Sequence, residues 1–232
     1  MTAALRNEVL TPSVEDYLKA IYHLSRAGHP ATTSDIAQHL DLSAPSVSGM
    51  VKRLADQGLL EHVPYKGVEL TPEGRRAALR MLRRHRIIET YLVDRLGYTW
   101  DSVHHEAERL EHAVSDALID RMAAALGNPG FDPHGDPIPG PDGSMAEVIY
   151  TPLSDLPAGE SAVVRRADTS DAERLRYLAE IGLVPGAGIQ VVARHPFSGP
   201  VTVRVEGAER VVGHALAGQV LCQRQRGADP RA

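Results

Sequence analysis

Residues 127–145, GNPGFDPHGDPIPGPDGSM, are so dense in proline and glycine that neither a regular helix nor a central strand can run through them. They divide the chain, and the apolar period differs on the two sides. Before them, apolar residues recur at helical spacing. After them, the short runs SAVVRRA, GIQVVARH, PVTVRVEG, ERVVGHA and QVLCQRQ are rich in β-formers and bounded by Gly and Pro. The stretch therefore reads as a linker from a helical part to a β-rich part over 146–225. One helix, about 170–181, interrupts the strands. A unit of this size with hairpin turns is expected to cover its edges by closing into a small antiparallel barrel. The closing RGADPRA reads as a disordered tail.

The helical part has a recognisable order. Val14, Tyr17, Leu18, Ile21 and Leu24 give a helix over 11–26, with Thr11 as cap and Pro12 in the first turn. Thr33 or Ser34 caps a short helix ending at Leu40. Ser43 caps a third through Gln57, with Val47, Met50, Val51 and Leu54 inward, and Gly58 stops it. LLEHVPYKGVELT then reads as a hairpin turning at Tyr65, Lys66 and Gly67, and two long helices follow over 72–96 and 99–126. Helix, short helix, tight turn, longer helix and hairpin is the order of a winged helix-turn-helix, whose recognition helix enters the major groove. Ser43, Ser46 and Ser48 can donate to phosphates or base edges, and Pro45 can meet a thymine methyl. Lys52 and Arg53 can neutralise phosphates, and Lys66 sits at the wing tip. The competing reading is a three-helix bundle with a solvated face.

The formal net charge of −5 looks wrong for a DNA binder. It does not decide the matter, because contact needs only local positive charge and carboxylates gathered for a metal push the total the other way. Such a gathering is present in VHHEAERLEHAVSD. Val103, Ala107, Leu110, Val114, Ala117, Leu118 and Met122 predict one continuous helix, with His104, Glu108, Glu111 and His112 along one side. Imidazoles and carboxylates suit a divalent first-row cation, but one helix rarely surrounds an ion, so a further ligand must come from elsewhere. His85 and Glu89, four residues apart on the preceding basic helix, could add donors to His104. The alternative is a charged, solvated helix face. The single Cys222 excludes an internal disulfide or a cysteine zinc cluster. Enzyme signatures are missing: after His105–Glu106 the second histidine of H-E-x-x-H falls at Arg109, and neither a phosphate loop nor a G-x-S-x-G elbow occurs. No apolar run approaches the ~18 residues of a membrane span, and MTAALRNEVL has no signal-peptide pattern, so a cytoplasmic, non-enzymatic protein is expected.

Taken together, SVEDYLKAIYHL, SAPSVSGMVKRLADQGL, LRRHRIIETYL, VHHEAERLEHAVSD and PHGDPIPG, in this order, resemble the metal-dependent repressors typified by the diphtheria toxin repressor and the manganese-transport regulator. The resemblance spans nearly the whole chain. It implies a winged helix-turn-helix over 1–74, a helical dimerisation and metal-binding domain over 75–126, the linker, and an SH3-like domain of the iron-transport-accessory type over 146–225. It also implies a homodimer on a palindromic DNA operator with a divalent metal as corepressor. The primary site would be Asp16, Glu108, Glu111 and His112. Iron-responsive members usually carry Met and Cys at the first two positions, so the carboxylates here point to Mn(II), with Fe(II) as the alternative effector. Lys19 stands where manganese-branch members place another acid. His85, Glu89 and His104 match an ancillary site of the iron branch that borrows a ligand from the SH3-like domain, with Asp171 or Glu173 as candidates. Two sites per subunit follow. A winged-helix regulator sensing a non-metal ligand, or a plain interaction module, remain the other readings.

Overall fold

The computed structural model describes residues 10–25 and 28–225; the predicted helix end at Arg26 and the tail RGADPRA lie outside them. The chain forms two compact units, one of residues up to Arg84 with Pro139–Ser144, the other of His85–Ile138 with Met145 onward.

In the first unit, α1 (Pro12–Ser25) buries Val14, Tyr17, Leu18 and Ile21. α2 (Thr33–Leu40) is capped by Thr32, one residue before the expected positions. Asp35 decides this: Thr32 Oγ1 accepts from Asp35 N at 3.1 Å, and the Asp35 carboxylate accepts from Thr32 N at 3.4 Å, closing a capping box. α3 (Ala44–Asp56) starts at Ser43 as expected and buries Val47, Val51 and Leu54, while Met50 is only half-buried. The wing pairs β1 (Leu60–Val63) with β2 (Gly67–Leu70), from Leu60↔Leu70 to Val63↔Gly67. Gly67 opens β2 at φ 128°, where a Cβ would stand 2.2 Å from the Ala31 carbonyl oxygen. The crowding arises because Ala31 exchanges both backbone hydrogen bonds with Val68, each 2.9 Å. These elements make the winged helix-turn-helix that their order predicts. α4 (Pro72–Leu96) has the expected bounds, and the border between the units falls within it.

In the second unit the helix expected over 99–126 is broken into α5 (Val103–Glu111) and α6 (Asp116–Ala125). Ser115 is the cause: its hydroxyl accepts from Leu118 N at 3.3 Å and starts a new helix, leaving His112 as the C-cap of α5. The break also moves the inward face. Val103 and Ala107 are buried as expected, but Ile119 and Ala123 replace Ala117 and Leu118, and Leu118 is 45% exposed. Ile87, Ile88 and Leu92 of α4 close this core with Ile138.

Ile138 belongs to the stretch expected to be a linker. Its 131–138 segment has only the single bridge Phe131↔Pro137, in keeping with its prolines, yet Asp132, His134 and Ile138 are buried. Packing here does not need regular structure, because Arg86 of α4 serves the polar groups. Buried itself, Arg86 donates Nη1 to Pro137 O at 2.6 Å and Nη2 to Asp136 Oδ1 at 3.1 Å, with Nε 3.4 Å from Asp132 Oδ2.

The rest is β3 (Thr151–Pro152), a 3-10 turn (Leu153–Asp155), β4 (Ser161–Ala167), α7 (Ala172–Glu180), β5 (Gly188–Arg194), β6 (Val201–Val205), β7 (Ala208–Val212), α8 (His214–Ala217) and β8 (Val220–Arg224). The strands form one antiparallel sheet ordered β3-β8-β4-β5-β6-β7. β6 shows why: Val201, Val203 and Val205 are buried while Thr202 and Arg204 alternate outward. Hydrogen bonding does not close the barrel among the described residues, since β3 and β7 are the two ends of the sheet. One edge is only two residues long, and the other carries exposed Glu209 and Arg210.

Candidate metal centre

Glu89 is the hub of the centre. One turn of α4 places it beside His85, whose Nε2 is 2.9 Å from Glu89 Oε1. α5 brings His104, with Nδ1 3.1 Å from the same oxygen and 3.1 Å from His85 Nε2. The 131–138 segment brings His134, with Nδ1 3.6 Å from Glu89 Oε2. The fold thus brings His85, Glu89 and His104 together. A second cluster, Glu89 with Asp132 and His134, shares the hub, and in each cluster the donor atoms lie within 4.8 Å of one another. Asp132 and His134 escaped the reading of the residues, although they lie in the PHGDPIPG stretch and beside it; a proline-rich segment read as a spacer hides its donors.

Charge complementarity accounts for the packing of these groups. A buried carboxylate is costly unless paired. Burial alone would raise the Glu89 pKa, but the charge of His85 and hydrogen bonds from His104, His134 and His85 hold it well below the ordinary range. The histidines respond in kind. Burial disfavours charge on His104, yet its bonds to Glu108 and Glu89 outweigh this and push it up to about 9. His134, likewise opposed by burial, is raised to about 8 by Glu89 and Asp132. Burial and repulsion from Asp136 and Glu89 lift Asp132 to about 7 against the attraction of Arg86.

The donors fit a metal. They are imidazole nitrogens and carboxylate oxygens, and most are buried. His134 is also preset: its Nε2 is 2.7 Å from Trp100 O, and a carbonyl only accepts, so Nε2 carries the hydrogen and Nδ1 is left as the donor to an ion.

For the primary set, Asp16 sits half-buried on α1 in the first unit. Glu111 and His112 end α5 in the second, with Glu111 fully buried and its Oε1 3.7 Å from His112 Nε2. Glu108 does not join them; its carboxylate lies 3.4 Å from His104 Nε2. Asp171 and Glu173 join neither cluster of the centre. Asp171 is occupied as the N-cap of α7, its Oδ1 accepting from Glu173 N at 2.9 Å and Arg174 N at 3.1 Å, and Glu173 is exposed.

On the winged helix, α3 turns Pro45, Ser46, Ser48, Gly49, Lys52 and Arg53 to solvent, opposite Val47, Val51 and Leu54. Ser43 is partly committed, since its hydroxyl caps α3 through Ser46 N at 3.4 Å. Lys66 is exposed at the wing tip beside Tyr65, which adopts a left-handed φ of 61°. No helix among the described residues is long and apolar enough to cross a membrane.

Comparison with known proteins agrees with this layout. Residues 9–68 match the iron dependent repressor N-terminal DNA binding domain, 71–140 its metal binding and dimerisation domain, and 151–224 the FeoA domain. The iron-dependent repressor IdeR of Mycobacterium leprae (strain TN) is 36% identical over 221 residues, covering 90% of this chain and 95% of that protein. Among solved structures, a manganese-dependent transcriptional repressor in complex with manganese is 41% identical with a TM-score of 0.86, covering 91% of this chain and 100% of that one. The manganese regulator SloR is 34% identical with a TM-score of 0.76, over 93% and 100%.

Proposed function

The chain belongs to the iron-dependent repressor family, that of the diphtheria toxin repressor, and from that premise we propose that it is a homodimeric, Mn(II)-responsive repressor of metal-homeostasis genes. It works in the cytoplasm and is a regulator rather than an enzyme. The observation that carries the metal reading is the largely buried, sulfur-free donor set around Glu89 together with Glu111 and His112. The relatives named for manganese support that metal. Those named for iron favour Fe(II) as the second reading.

In the primary site Asp16 is the ligand from the DNA-binding part, with Glu108, Glu111 and His112 from α5. Glu108 leaves His104 to take this role. The second site draws on Glu89 with His85 and His104, or with Asp132 and His134. A bound divalent ion supplies the positive charge that the histidine protons supply without it. Ligand carboxylates and imidazoles then hold one arrangement of the chain in preference to others, and only such a differential affinity can shift a population. Pro45, Ser46, Ser48, Lys52 and Arg53 face the major groove, with Ser43 beside a phosphate and Lys66 on the wing contact. A dimer reads a palindrome with half-sites about one turn, roughly 34 Å, or a multiple apart.

The test is operator binding titrated with Mn(II), Fe(II) and Zn(II) at buffered free concentrations under anaerobic conditions. Activation by Mn(II) at the lowest free concentration relative to its availability supports the proposal. Binding indifferent to chelators would instead identify a regulator of a non-metal ligand.

A further inference from the structure

His134 is held from the side away from Glu89. Its Nε2 donates to the Trp100 carbonyl at 2.7 Å, and its ring stacks on the Trp100 indole with centroids 5.9 Å apart and planes 25° off parallel. Its own carbonyl accepts from Ala167 N, at the end of β4, at 2.9 Å. The next residue, Gly135, presses so closely on β4 that a Cβ would stand 1.8 Å from Arg165 O, at a φ of 87° that also asks for glycine. Asp136 Oδ1 is then 3.2 Å from Arg166 Nε. Trp100 itself packs against the apolar core of the six-stranded sheet.

The 134–136 backbone is thus docked along β4, and Trp100, in the α4–α5 connection, is wedged against the sheet it docks on. Apart from its facing carboxylates, the His134 ring is held by Trp100, and the backbone behind it by Ala167 of β4. Asp171 and Glu173, the expected ligands from that domain, are elsewhere. Among the described residues the β domain adds no donor to either cluster around Glu89.

We infer that Trp100 is a positioning residue for the second metal site: with Ala167 it lets the β domain hold His134 as a ligand without donating a ligand of its own. The inference rests on the proposed metal-binding function. Two consequences follow. Loosening Trp100 weakens the second site while Glu89, Asp132 and His134 all remain, on the order of the 10–100-fold loss typical of outer-shell partners of metal ligands. In the other direction, an ion on His134 tightens the docking of β4.

Trp100 is the chain's single tryptophan, so its emission reports this place and no other. The experiment titrates the full-length protein with Mn(II), following stoichiometry and affinity by electron paramagnetic resonance of free Mn(II), tryptophan emission, and hydrogen exchange at the Ala167 amide. Wild type is expected to bind two ions per chain, with emission changing alongside the second site and the Ala167 amide exchanging more slowly when loaded. Trp100→Ala should lower second-site affinity 10-fold or more with the first site little changed, and Trp100→Phe should restore most of it by keeping a stacked ring. In His134→Ala the emission change should vanish.

The exchange measurement needs no variant, so it decides the matter even where Trp100→Ala fails to fold. An Ala167 amide indifferent to metal, a Trp100→Ala protein with wild-type second-site affinity, or an emission change that survives His134→Ala would each overturn the inference and leave the repressor reading standing. A wild-type chain that binds no divalent metal would overturn both.

Discussion

His85 Nδ1 lies 2.5 Å from Glu111 Oε2, while the opposite nitrogen of the same ring lies 2.9 Å from Glu89 Oε1. One imidazole thus touches the fully buried carboxylate of the proposed primary site and the hub of the second. Facing carboxylates on both sides, it donates from both nitrogens when protonated.

Replacing His85 by Ala removes one partner from each buried carboxylate. Left short of a hydrogen bond, such groups cost about 1–3 kcal/mol each, so the metal-free protein should lose stability by at least that much in urea unfolding followed by circular dichroism. The two metal affinities should fall together. If the variant binds at the primary site as the parent does, the two sites do not communicate through this ring.

The titration of the centre sets a pH dependence. His104 and His134, raised to about 9 and 8 from 6.5, stabilise the metal-free fold fully below about pH 6.5, and that contribution is lost as the pH rises through 8 and 9. Asp132, raised to about 7, adds a loss between its unfolded value of 3.8 and 7. The urea midpoint of the metal-free protein should therefore fall from pH 6.5 to 9. Metal must displace these protons, so affinity should rise over the same range, with proton release at pH 7 seen as a buffer-dependent heat in calorimetry. A heat independent of buffer would mean that the centre is already deprotonated.

Arg86 is the guanidinium on which the 131–138 segment is built. Arg86→Met keeps the apolar stem but leaves Asp132 and Asp136 without it. Breaking a buried ion pair from one side costs about 3–5 kcal/mol, which should appear as a lowered thermal midpoint. Excess Mn(II) should recover part of the loss by meeting the charge of Asp132. A midpoint within a degree of the parent would show that the segment holds itself in place.

A residue's role is legible in the sequence to the extent that the interactions it answers to are local. The winged helix is legible because Ser43, Pro45, Gly58 and the turn at Tyr65, Lys66 and Gly67 act locally, and His85 with Glu89 can be paired because α4 is long and unbroken. The break at Ser115 is not, since the apolar spacing across it looks continuous and only the cap bond to Leu118 N interrupts it. The 131–138 segment departs from its expected role as a linker for a different reason. Its prolines exclude ladders, but its burial depends on Arg86, distant in sequence, and on β4 beyond it. Asp171, expected as a ligand from its domain and charge, also serves a local need as the N-cap of α7.

Lys52 and Arg53, exposed on α3, should act mainly on phosphates. Changing either to Ala should weaken specific and non-specific DNA alike and make log K against log salt shallower by about one unit per contact. Pro45→Ala should act differently, relaxing preference at one thymine-containing step. A uniform loss across sequences for Pro45→Ala would place it on the backbone rather than at a base.

Metal choice is the sharpest test of the assigned function, because it turns on two side chains. The family resemblance sets Asp16 and Glu108 at positions where iron-responsive members usually carry a thioether and a thiolate. Asp16→Met with Glu108→Cys would trade two hard anionic donors for softer ones and reduce the negative charge, which disfavours Mn(II), at the weak end of the divalent series, more than Fe(II) or Co(II). The double variant should need at least 10-fold more Mn(II) for half-maximal operator binding while Fe(II) or Co(II) stays effective, and each single change should shift the Mn(II) midpoint the same way by less. The Glu108 change carries a second signature: with its carboxylate gone, His104 loses a partner at 3.4 Å, so its raised pKa should fall and the variant should release fewer protons on binding at pH 7. Activation midpoints for the three metals, measured beside that proton count, separate ligand hardness from local electrostatics. Should the double variant keep the parent's order of metals although its proton release changes, the two carboxylates tune the charge of the centre without selecting its ion, and Fe(II) becomes the better reading.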